Sequence, residues 1–109
     1  MLNINGLTWR VYLVSPNHPM LVRDNGSVAV GVCDSNTQSI YVNEYVDIDF
    51  MKKILCHEIT HAAMFSYGII LNHDQEELIS DLIATYGEEI IEKTNKIFLR
   101  IKEKGTYLM

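Results

Sequence analysis

His57-Glu58-Ile59-Thr60-His61 reads H-E-x-x-H within an apolar stretch of helical period, a spacing that holds a divalent zinc ion. At about 3.6 residues per turn the two histidines stand one turn apart and about 40° apart around the axis, so both imidazoles reach one metal. Glu58 lies on the same flank, where a carboxylate can polarise a metal-bound water as general base. The predicted chemistry is metal-assisted hydrolysis, with one Zn2+ per chain.

Two histidines are a poor zinc site, because catalytic zinc generally takes three protein ligands and leaves the fourth position to water. Glu76, Glu77 and Asp81, at the start of the next predicted helix, are the candidates for the third. Glu77 and Asp81 are spaced i, i+4, so one can ligate while the other accepts the remaining ring N–H of a ligating histidine and fixes its tautomer. Asp74-Gln75-Glu76-Glu77 also has the form of a capping box, which would turn Glu77 back toward the Asp74 backbone N–H.

The succession of His57-Glu58-Ile59-Thr60-His61 and Glu77-Leu78-Ile79-Ser80-Asp81 resembles the gluzincin pattern, H-E-x-x-H followed by E-x-x-x-D, of thermolysin-like metallopeptidases. It is also similar to small ImmA/IrrE-type and phage-borne zincin-like proteins, whose E-x-x-A-N-x-F-A segment reads here as Glu77, Ser80, Asp81, Ile83 and Ala84. The resemblance spans roughly residues 27 to 87. It implies a zinc-dependent peptidase with His57, His61 and Glu77 as metal ligands, Glu58 as general base and acid, and Asp81 as the partner of a ligating histidine. The Leu-Leu-Met-Pro-like continuation of the ImmA/IrrE branch is replaced by Thr85-Tyr86-Gly87. Larger gluzincins add a histidine or tyrosine that stabilises the oxyanion; Tyr86 is the candidate here, beside Tyr67, His73 and Tyr107. A zinc-stabilised interaction module of phage or mobile-element type is the alternative with the same ligands and no turnover. The expected partner is a peptide or protein substrate.

The elements that must position these residues follow from pattern. The β-rich run LTWRVYLV, residues 7 to 14, ends at a segment with two prolines, Pro16 and Pro19. Met20 to Val22 reads as a short extended piece, and Ser27 to Cys33 alternates bulky and small residues as a strand, returning through a turn as Gln38 to Asn43. Gly31 within that strand suggests close backbone approach, and the hairpin is a candidate rim for a substrate added as a strand. From Asp47, with Asp47 or Asp49 as N-cap, a helix apolar on most sides is expected to be central and buried, with Gly68 at its C-cap. A second helix runs to about Lys104, closed by Gly105, with Leu78, Leu82, Tyr86, Ile90, Ile97 and Ile101 as an apolar stripe and Gly87 as a weak point. The predicted fold is α+β: a small antiparallel or mixed sheet on an active-site helix and a long C-terminal ligand-bearing helix, a minimal zincin-like arrangement.

A chain of 109 residues is one domain, 1–109, with a single core. A net charge of −5 opposes a nucleic-acid surface, since the basic residues Lys93, Lys96, Arg100, Lys102 and Lys104 alternate with apolar ones as the solvated face of a helix. No stretch reaches the length of a membrane span, and the start lacks the layout of a signal peptide. Cys33 and Cys56 lack C-x-x-C spacing and read as free thiols of a reducing compartment, which predicts a cytoplasmic protein. The oligomeric state is open, with the long amphipathic helix as the surface through which copies could pair.

Overall fold

In the computed structural model, which describes residues 1–104, the strand expected at residues 7 to 14 is β2 (Leu7–Val14). It has a partner that pattern reading misses, β1 (Leu2–Ile4), paired antiparallel through Asn5-Gly6. Both turn residues have positive φ, 49° and 81°, the backbone of a two-residue hairpin whose twist matches its strands. The Asn5 side-chain amide also donates to Ser66 O at 2.9 Å, tying the hairpin to the end of the first helix.

The expected strand 27–33 is shorter and later, β3 (Gly31–Asp34), and returns as β4 (Ser39–Asn43). Residues 27–30 are held instead by loop contacts, with Ala29 N donating to Leu21 O and a single bridge between Val22 and Val28. The piece expected to be extended at Met20–Val22 is a short 3-10 turn, Pro19–Leu21. Pro19 fits its first position, where no N–H is needed, and His18 Nδ1 caps it by accepting from Met20 N at 3.1 Å. The four strands form one mixed sheet in the order β1-β2-β4-β3, with β2 and β4 parallel and β3 at an edge.

One face of the sheet carries Trp9, Ile40 and Val42, all fully buried against Ile54 and Ala62 of α1 (Ile48–Ser66). Trp9 satisfies its indole N–H at Ser66 Oγ, 2.8 Å away. On the opposite face Tyr12 stacks on Tyr41. Asp47 caps α1 by accepting from Asp49 N, as expected. The helix ends in a Schellman turn: Gly68 N donates to Phe65 O and Ile69 N to Met64 O, with Gly68 at φ 68°. The expectation that α1 is buried all round is not met. The sheet covers one side and the second helix another, while Phe50 and Phe65 stay about half exposed along the cleft between them.

The second helix, α2 (His73–Lys104), runs unbroken through Gly87; Gly105 and Tyr107 lie outside the described residues. Its capping box is Asn72/Gln75 rather than Asp74/Glu77. Asn72 Oδ1 accepts from Gln75 N at 2.9 Å, and Gln75 Oε1 accepts from Asn72 N at 3.2 Å. The helix therefore starts two residues earlier than expected, and Glu77 falls in its second turn, free to face α1. Of the expected apolar stripe, Leu78, Leu82, Tyr86 and Ile90 are all half exposed or more, and Ser80 is the one buried residue of α2. No helix among the described residues is long and apolar enough to cross a membrane.

Candidate metal centre

The helical turn between His57 and His61 brings their Nε2 atoms to 3.2 Å. Glu77 reaches into the same space from α2, with Oε2 3.3 Å from His57 Nε2 and Oε1 2.8 Å from His61 Nε2. The outward nitrogens are also taken. Asp81 Oδ1 lies 2.9 Å from His57 Nδ1, and Glu76 Oε1 lies 2.6 Å from His61 Nδ1. A carboxylate can only accept there, so each Nδ1 carries a hydrogen, and a neutral ring held in that way presents its Nε2 lone pair inward. Two imidazole nitrogens and a carboxylate thus converge on one point that could hold a metal ion. A tetrahedral ion with bonds of about 2.0–2.1 Å has ligand–ligand edges of about 3.3 Å, and the Nε2–Nε2 and Nε2–Oε2 separations match that edge. His57, His61 and Glu77 are the one such group of potential metal ligands among the described residues.

Glu58 stands beside this cluster, 8 % exposed, with no hydrogen bond or ion pair to another described residue. Burial pushes its carboxyl above the usual range, His57 and His61 pull it back, and Glu77 raises it again. Gly31 explains how β3 comes so near. A Cβ at that position would lie 2.6 Å from Ile54 Cγ2 and 3.0 Å from Glu58 Oε2, so the expected close backbone approach is realised against the H-E-x-x-H helix.

Two cavities, of about 320 and 500 Å³, flank the cluster and share Glu58 and Glu77 in their walls. Val30 and Gly31 line the first, Val32 and Cys33 the second, so the sheet edge runs along both. Phe50, Lys53 and Arg23 complete one end; Phe65, Ile69 and His73 complete the other. The groove thus runs beside a strand at the edge of the sheet, β3, and past His57, His61 and Glu77.

Of the sequence-predicted residues, His57, Glu58, His61, Glu77 and Asp81 come together. Tyr86 does not. It lies nine residues after Glu77, about 180° around the axis, is 53 % exposed and lines neither cavity. Tyr67 is likewise exposed and outside both, whereas His73 lines the second. Glu76, considered above as a ligand, is the partner of His61 instead. Cys56 lines a separate hollow with Lys52 and Glu88, and the Cys33 thiol is pushed up to about 12 by burial, with Glu58, Glu76 and Asp34 adding to the effect. No protein-family model, curated protein or solved structure matches the chain.

Proposed function

We propose that the protein binds one Zn2+ through His57, His61 and Glu77 and hydrolyses a peptide bond in the cleft beside β3. The observation that carries the reading is the convergence of His57 Nε2, His61 Nε2 and the Glu77 carboxylate at distances near a tetrahedral edge, with a carboxylate at the far nitrogen of each histidine. The resemblance of H-E-x-x-H with E-x-x-x-D to the gluzincin pattern supports it further.

When bound, zinc supplies a Lewis acid that polarises a carbonyl and acidifies a water. Glu58 takes the proton of the attacking water and delivers it to the leaving amine; its raised affinity for protons and lack of other partners suit that traffic. Asp81 and Glu76 hold the imidazoles in the tautomer that leaves Nε2 free. The edge of β3 orients the substrate backbone, and His73, which lines the second cavity, is the candidate donor to a developing oxyanion. The free thiols Cys33 and Cys56 suit a reducing, cytoplasmic setting.

One observation favours a second reading: neither cavity is lined by a tyrosine, and a missing oxyanion donor typically costs on the order of 100-fold to 1000-fold in rate. A zinc-stabilised binding module would keep the ligands without turnover. Metal content of the wild type and of Glu77→Ala, with peptide hydrolysis by the wild type and Glu58→Gln, separates the readings. Stoichiometric zinc lost in Glu77→Ala and hydrolysis lost in Glu58→Gln are expected. Zinc without hydrolysis selects the binding module, and hydrolysis that survives chelation sinks the proposal.

A further inference from the structure

Lys52 Nζ meets Glu88 Oε2 at 3.0 Å near the start of α1, and α2 then continues past α1 to Lys104. Along this overhang large apolar side chains are open to solvent, among them Ile90 at 52 %, Ile91 at 60 % and Phe98 at 58 % exposure. Ile83, Tyr86, Ile90, Thr94, Ile97 and Ile101 recur at steps of three or four residues, which places them within about 40° of one line along the helix. That line is roughly 100° around from Ser80 and Ala84, the small residues on the side facing α1; Ile83 at its start lines the hollow beside α1, and from Tyr86 onward the row does not. A row of this kind, exposed except at the partly buried Ile97, marks an interaction surface, and a projecting helix of so few turns is marginal in water without a partner.

Charge identifies the partner. From His73 to Glu92 the helix carries Asp74, Glu76, Glu77, Asp81, Glu88, Glu89 and Glu92 and no lysine or arginine. From Lys93 to Lys104 it carries Lys93, Lys96, Arg100, Lys102 and Lys104 against the single Glu103. None of these five cations makes an ion pair among the described residues. Two copies of α2 laid antiparallel set each acidic half beside a basic half; laid parallel, they set like against like. We propose that the protein forms a dimer through antiparallel pairing of its α2 helices, with the isoleucine row as the seam and Glu89, on the flank that also carries Lys93, Lys96 and Arg100, facing the partner copy's basic end.

Sedimentation equilibrium of the full chain at micromolar concentration tests this, with expected mass twice that of the chain. Ile90→Glu with Ile97→Glu is expected to give a monomer whose Trp9 emission stays that of a buried indole, reporting an intact body. Lys96→Glu with Arg100→Glu, which alters only exposed residues, is expected to weaken the dimer at least tenfold, and adding Glu89→Lys to the same chain to restore part of that loss. A monomeric wild type overturns the proposal. So does a dimer that the folded isoleucine variant leaves intact, or one that charge reversal leaves unchanged. Should the isoleucine variant fail to fold, the charge-reversal series decides alone.

Discussion

At the scale of single residues, Glu58 is costly to the fold in the way a catalytic base usually is. Its carboxyl is buried, unpartnered and held above its ordinary proton affinity, chiefly by burial. A folded-state pKa raised above the unfolded value gives a contribution that is present below the unfolded pKa and lost as pH rises through the folded one. The charged form therefore weakens the metal-free fold at neutral pH. Glu58→Gln is expected to raise the thermal midpoint of the metal-free protein at pH 7, by on the order of 1 kcal/mol, while abolishing hydrolysis; calorimetry with chelator present reads the first effect. Cys33 gives a second test with the same sign. With its pKa pushed to about 12 from the ordinary 9.0, its contribution to stability is complete below pH 9 and fades between 9 and 12. Cys33 is expected to resist alkylation at pH 8 in the native protein and to react once denatured, as peptide mapping by mass spectrometry would show. Most of the residue constellation is legible in the sequence, because i, i+4 spacing fixes direction on a helix whatever the fold. Glu76 and Tyr86 are not. Which of two adjacent acids meets which histidine depends on how α2 is rotated, and that phase is set by the Asn72/Gln75 cap.

At the scale of elements, the two histidine–carboxylate contacts depend on α1 and α2 lying side by side, with Asp81 beside His57 and Glu76 beside His61. Replacing either carboxylate by its amide, Asp81→Asn or Glu76→Gln, is expected to lower zinc affinity 10-fold to 100-fold without unfolding the chain, measurable by competition with a chelating dye. Gly31 is the corresponding constraint from the sheet. Gly31→Ala forces a methyl against Ile54 and Glu58 and is expected to destabilise by roughly 1–3 kcal/mol in denaturant melts. The helices and the β3–β4 hairpin follow from periodicity and caps. The β1–β2 hairpin was available in Asn5-Gly6, a strong turn signal, but a three-residue strand gives too short a run for alternation to register. The 3-10 turn at Pro19–Leu21 was obscured because proline both ends a strand and begins a helical turn.

At the scale of the whole molecule, the apolar core lies between sheet and α1, around Trp9, Ile40, Val42, Ile54 and Ala62. The sequence predicts an apolar stripe along α2 correctly but cannot say what it faces, since periodicity fixes a face and not its neighbour. In this fold α2 contributes only Ser80 to the buried set, and that hydroxyl has no partner. Hydrogen exchange is expected to show α1 protected with or without metal, and the first half of α2 protected strongly only when zinc is present. Equal protection of α2 in chelator would refute this.

The shallow seating of α2 has a consequence for reading any variant of the site. With so little apolar surface buried on the longest helix, the carboxylates proposed to gather a metal ion supply four of the five side-chain ion pairs between α1 and α2 among the described residues. Ligand affinity and helix attachment are then one equilibrium seen from two sides. A substitution at Glu76, Glu77 or Asp81 that silences the protein is expected to loosen its architecture in proportion.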